Sequence, residues 1–178
     1  PLSFPQQRLW FINQMEPASF AYNIPVVRQI SGRLNVSAVE QSFNELFRRH
    51  ESLRTTFKIK DGQPVQIVEA PKPFRLPVTD LSELADDERE RETRRLIQIE
   101  AEQLFDLENG PLLCASLIKL TEESHLVLLT MHHIISDGWS MDVMLGELTT
   151  LYNAFNEGRE SPLPELPLQY VDYAVWQR

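Results

Sequence analysis

The chain has a single cysteine, Cys114, so no disulfide can form within it, which suits a reducing compartment. No apolar run approaches the roughly 18 residues of a membrane-spanning helix, and the first residues show no signal-peptide pattern. Together these absences point to a cytoplasmic setting. Basic charge is not in excess either: 17 Lys and Arg stand against 26 Asp and Glu, a net charge of −9. A nucleic-acid role is disfavoured, because phosphate binding requires a basic face. An acidic partner protein is still compatible, since it needs only a local basic patch. Internal repeats and low-complexity tracts are missing too. What is present is 178 residues, 42% of them hydrophobic, enough for one globular unit with a proper core.

The chemistry-bearing stretch is Met131-His132-His133-Ile134-Ile135-Ser136-Asp137-Gly138-Trp139-Ser140. Upstream, residues 125–131 are almost unbroken apolar sequence and read as a strand buried on both faces. Downstream, Met141, Met144, Leu145, Leu148, Leu151, Tyr152 and Phe155 recur at helical steps, with Ser140 as a plausible N-cap. Paired histidines therefore sit on a strand-to-helix turn, where a rigid scaffold presents reactive groups. Gly138 is expected to give the turn an unusual backbone conformation.

Taken alone, His132-His133 also fits one buried, hydrogen-bonded ring beside one solvent-facing ring. Asp137 shifts the balance, since a carboxylate four residues after His133 can orient a ring or clamp the loop. A metal site is a third reading, against which stands the absence of a helical His-x-x-x-His spacing or a cysteine pair.

The rest of the chain reads as alternating elements. Residues 6–11 suggest a short helix with Trp10 and Phe11 in the core, and 24–30 a strand with Pro25 near its start. Ser37-Ala38-Val39-Glu40 fits a capping box for a helix whose inner face is Val39, Phe43, Leu46 and Phe47. Asp61-Gly62 marks a hairpin between strands at 54–60 and 65–68. Residues 83–95 read as a solvated, ion-paired helix with Ile97, Ala101, Leu104 and Phe105 on its buried side. Asn109-Gly110-Pro111 is expected to stop that helix. A strand at 112–120 then pairs with 125–131 through Thr121-Glu122-Glu123-Ser124. A proline-containing loop at 161–167 leads to a last helix from Tyr170. The fold class implied is α/β: a mixed sheet packed with helices in layers.

His132-His133-Ile134-Ile135-Ser136-Asp137-Gly138 resembles the HHxxxDG signature of condensation domains in nonribosomal peptide synthetases. Three more stretches resemble motifs of that family in the right order: Leu2–Trp10, Arg49–Phe57 and Tyr170–Trp176. The resemblance implies a chloramphenicol-acetyltransferase-like fold, of which this chain is the N-terminal half, residues 1–178, without the C-terminal subdomain. Beginning and ending inside motif-like sequence, the chain looks like a piece of a larger protein.

The implied activity is that of an acyltransferase in secondary-metabolite assembly. An aminoacyl group on one peptidyl carrier protein attacks the aminoacyl or peptidyl thioester on another, and an adenylation domain belongs to the same parent chain. No cofactor is implied for the domain itself; the phosphopantetheine arms of the carriers enter as substrate carriers. The resemblance assigns catalysis to His133, leaving open whether it is a true base or a positioning group. Gly138 and the amides opening the next helix could face the thioester oxyanion, an arrangement the helix dipole favours. His132 is then structural. Asp137 is expected to clamp the loop through an arginine, with Arg54 and Arg8 as candidates and a partner in the other half as a further option. Ala21-Tyr22-Asn23-Ile24-Pro25 resembles the version found with an L-configured donor, and Trp139-Ser140 leans toward condensation. The alternatives are an epimerase-type relative, which shares the histidines, and a non-catalytic recruitment domain of the same fold. A heterocyclising relative would carry aspartate in place of the histidines.

Overall fold

A computed structural model describes residues 1–178. Its centre is strand β6 (Ser124–His132), flanked antiparallel by β1 (Asn23–Ser31) and β5 (Leu113–Thr121). The short strand β4 (Val78–Asp80) joins the far side of β5 in parallel, so the sheet is mixed, in the order β1-β6-β5-β4. A central strand must bury both faces, which explains the unbroken apolar run. Val127, Leu129 and Met131 point into the main core, whereas Leu128 packs with Leu81 and Ile118 on the other side.

Helices α2 (Val36–Arg49) and α4 (Gly138–Asn156) pack together over the main-core face. Helix α3 (Asp86–Ala101) covers the opposite face against β1, β5 and β6. Asn23 fastens its end, donating from Nδ2 to the carbonyls of Ala101 (2.9 Å) and Gln103 (2.8 Å). The hairpin β2 (Thr55–Lys60) and β3 (Gln63–Val68) forms a separate two-stranded sheet. Asp61 and Gly62 both take positive φ there, as a two-residue turn matched to strand twist requires.

Helix α1 (Phe4–Met15) starts at a capping box between Ser3 and Gln6. It meets the last helix, α5 (Tyr170–Trp176), through Ser3 Oγ and Tyr170 Oη at 2.9 Å. The Phe4 amide also donates to Gln177 Oε1 at 3.0 Å. Both ends of the sequence thus come to one place.

Four local expectations need correction. Helix α2 is capped by Asn35, not Ser37; Glu40 turns away to accept from Arg75 and the Leu76 amide. Helix α3 ends at Ala101, well before Asn109-Gly110-Pro111, and none of its residues is fully buried. Leu104 is therefore exposed, while Phe105 is buried from the loop beyond the helix. Phe11 lies on the outer face of α1, and only Trp10 packs, half-buried, against the core.

Candidate active site

The sheet delivers His132 and His133 to the end of β6, and the chain then turns through 133–137 into α4. His132 is only 3% exposed. Its Nδ1 accepts from the Ile134 amide at 3.1 Å, so in the neutral ring Nε2 carries the proton. The rings of Tyr22 and Phe105 stand 6.5 and 6.1 Å away, Phe105 edge-on. Burial, helped by the nearby His133, lowers the His132 pKa from 6.5 to about 4. A ring kept neutral and bonded to the turn's own backbone holds the turn's shape.

His133 has the opposite surroundings. Its amide donates to the Tyr22 carbonyl at 2.8 Å, which fixes the backbone, while the side chain is exposed and lines a groove.

Asp137 is the N-cap of α4. Its Oδ1 accepts from the Ser140 amide at 2.8 Å, and its own amide donates to Ser140 Oγ at 2.8 Å. The capping residue is therefore Asp137, with Ser140 as its partner three positions on, rather than Ser140 itself. The Ser140 N–H in particular holds the Asp137 carboxyl below its ordinary pKa, with the Ser140 hydroxyl, His133 and the Trp139 amide adding to the effect and partial burial opposing it.

No arginine reaches this carboxylate. Arg54 donates from Nη1 to the Glu69 carbonyl at 2.6 Å and lies 3.5 Å from Glu51, and Arg8 is exposed on α1. Neither Arg54 nor Arg8 clamps Asp137 within this chain, and its carboxylate caps α4 instead. Gly138 has an ordinary helical backbone, not an unusual one. A Cβ there would meet nothing within 4 Å, so its bareness leaves space beside the helix start. Asp137 takes the Ser140 amide, and the Gly138 N–H has no hydrogen-bond partner within the chain, though Gly138 itself is not among the groove-lining residues.

The groove has a volume of about 540 Å³ and is open to solvent on one side. Pro5, Gln6 and Leu9 line it from the first motif, and His50, Ser52 and Leu53 from the second. The 131–140 stretch supplies His133, Asp137 and Trp139, and Tyr170 comes from the fourth motif. Trp139 is 81% exposed at its rim. Four motifs far apart in sequence thus converge on one cleft that contains His133.

Sequence reading missed one group here. His50 Nε2 lies 2.6 Å from Glu147 Oε2 of α4, and the same carboxylate receives Arg49 Nε at 3.0 Å. Arg49 is 5% exposed and also donates to the Pro164 carbonyl. Glu147 stands almost a hundred residues from His50, and no local spacing announces the pair.

The family model for the condensation domain matches residues 1–178. The chain is 51% identical over its whole length to part of a linear gramicidin synthase of Brevibacillus parabrevis. It is 46% identical over 99% of its length to part of a chondramide synthase of Chondromyces crocatus. It spans only 2% and 4% of those proteins. Among solved structures, the X-domain from teicoplanin biosynthesis matches with a TM-score of 0.84 at 34% identity, covering 99% of this chain and 37% of that one. The starter condensation domain of rhizomide synthetase shares the fold, with a TM-score of 0.89 at 24% identity over 99% of this chain and 42% of that one. Converging motifs, a mixed sheet with helices on both faces, and these matches agree: the chain belongs to the condensation-domain family of nonribosomal peptide synthetases.

Proposed function

We propose that this chain is the N-terminal, histidine-bearing half of a domain that joins two carrier-bound aminoacyl groups by an amide bond. The observation that carries the reading is His133, exposed in a groove lined by all four motifs. The acceptor's α-amine attacks the carbonyl carbon of the donor thioester. The C–N bond forms, the C–S bond breaks, and the amine's proton ends on the departing thiol of the donor arm. An α-amino group has a pKa near 8, so a neighbouring imidazole can take up or steady its proton as the bond forms. His133 fills that role. The free Gly138 N–H at the positive end of α4 suits the oxyanion. His132 and Asp137 keep the turn in shape.

Partners on this reading are donor and acceptor peptidyl carrier proteins, the C-terminal half of the domain and an adenylation domain. The phosphopantetheine arms arrive as parts of the substrates. The resemblance of residues 21–25 supports an L-configured donor; Tyr22 of that stretch accepts the His133 amide through its carbonyl. No helix is long and apolar enough to cross a membrane, and a cytoplasmic assembly line fits the reading. A recruitment role has one observation behind it, the X-domain solved in complex with OxyB, to which this chain is 33% identical.

In the complete domain, with carriers loaded and the dipeptide followed by mass spectrometry, His133→Ala should lose at least about 10²-fold in turnover at unchanged melting temperature. Turnover near wild type would overturn the catalytic assignment, and a silent wild-type domain would favour recruitment. The 178-residue chain alone should not turn over. Positioning supplies roughly 7–11 kcal/mol of barrier lowering, and half a groove cannot hold both arms in line.

A further inference from the structure

We infer that His50 is a second substrate-contacting imidazole in this groove, accepting a hydrogen bond from a substrate N–H through Nδ1. The inference deepens the condensation reading and rests on it. Three observations carry it. His50 lines the same groove as His133 although it sits at the far end of α2. Its Nε2 is committed to Glu147 Oε2 at 2.6 Å, and since a carboxylate only accepts, the shared hydrogen belongs to Nε2. In the neutral ring the lone pair is then on Nδ1, which has no hydrogen-bond partner within the chain.

The support behind the ring is rigid. Glu147 is anchored by Arg49, which is buried and tied in turn to the Pro164 carbonyl. Gln169, the N-cap of α5, donates to the Arg49 carbonyl at 3.0 Å and accepts from the Glu51 amide at 3.1 Å, closing the frame around His50. An imidazole oriented by a carboxylate, which is itself held by a buried guanidinium, presents its remaining nitrogen in a fixed direction. His133 has no such carboxylate bonded to its ring. Of the two groove imidazoles, His50 is therefore the one built to hold a group still. Its ligand is an N–H donor, and the reaction supplies two: the attacking amine and the amides of a pantetheine arm.

Two substitutions separate the ring's nitrogens. His50→Gln places an amide where Nε2 was and keeps the Glu147 contact, but removes the acceptor at Nδ1. His50→Asn restores an acceptor near Nδ1 and gives up Glu147. In the complete domain, with the acceptor on its carrier, His50→Gln should lose roughly tenfold in kcat/KM for the acceptor, the size of one substrate hydrogen bond. The KM for the donor should stay unchanged. His50→Asn should recover part of the loss, and Glu147→Gln, acting through the ring's orientation, should lose less than His50→Gln. Melting temperatures identify any variant whose loss is one of folding. As a measurement free of substitution at the site, the Nδ1 resonance of ¹⁵N-labelled His50 should shift when the acceptor-loaded carrier is titrated into wild type.

The source of the N–H is read by repeating the assay with an amino acid methyl ester as acceptor, which has the amine but no arm. A loss with both acceptors identifies the amine, and a loss only with the carrier-bound acceptor identifies the arm. His50→Gln at wild-type kcat/KM with both acceptors, or equal losses in Gln and Asn variants with an unmoved resonance, would overturn the inference. If His133→Ala is inactive while His50→Gln is normal, the condensation reading stands and this one alone falls.

Discussion

The two faces of the central sheet are unequally built. Over one face, α2 and α4 close a core of 21 buried side chains that runs on to the strand-to-helix turn. Over the other, Leu81, Ile118 and Leu128 are the fully buried members, roofed by a helix with none. Every groove-lining motif belongs to the thick side. Helix α3 carries surface ion pairs, such as Arg95 with Glu92 at 2.6 Å, which add little stability in water. The packing is concentrated beneath the strand-to-helix turn that carries His133, while the far side has only a cover. Along β6, Leu129 and Leu128 face opposite layers; at its end the buried His132 is followed by the exposed His133 in the turn.

The largest effect should come from breaking the thick side. Leu129→Ala should cost about 4 kcal/mol, toward the upper end of the roughly 2–5 found for such deletions, because α2 and α4 hold their places and leave a cavity. Leu128→Ala, under a helix that can settle, should cost about 2. Chemical denaturation of both variants measures the difference directly. Equal costs would show that the two faces are equally packed.

An intermediate effect depends on pH. The ordinary His132 pKa is 6.5 and the folded value about 4, so the folded state resists the proton. Above pH 6.5 both states hold a neutral ring and there is no penalty. As pH falls from 6.5 toward 4, the unfolded chain takes up a proton that the folded chain refuses, and stability declines by up to about 3 kcal/mol. His132→Asn keeps an acceptor for the Ile134 amide and should flatten this part of the stability profile relative to wild type. Parallel profiles between pH 4 and 6.5 would contradict the burial argument.

What the sequence made legible follows from which forces are local. The unbroken run at 125–131 announced a central strand because burial on both faces removes all alternation. Asp61-Gly62 announced its turn because few residues accept positive φ. Motif resemblance brought His133 forward. The misreadings lie where a competing partner or a tertiary contact decides the outcome. Ser37 and Glu40 satisfy a capping pattern, yet Asn35, two residues earlier, takes the cap while Glu40 goes to Arg75 and Leu76. Leu104 and Phe105 continue the period of α3 beyond its end, and the loop there carries Phe105 onto His132 instead. His50 and Glu147 meet only because α2 and α4 pack side by side, a fact of tertiary structure with no trace in either segment.

The smallest effect tests the thick side at its solvent edge, where Asp137 sits. A buried aspartate clamped by arginine would cost about 3–5 kcal/mol on truncation, because a charge is left stranded. Asp137 is exposed and its partners are the Ser140 amide and hydroxyl, so Asp137→Ala should cost only what an N-cap is worth, about 1 kcal/mol. Asp137→Asn should cost less, since asparagine caps almost as well. The loop would then loosen around His133, so turnover should fall further than stability does, and Asp137→Ser, another good cap, should restore much of it. Melting curves and turnover for the three variants decide between cap and clamp. A loss of several kcal/mol in Asp137→Ala would show that the carboxylate finds an arginine in the complete domain and that its capping role is secondary.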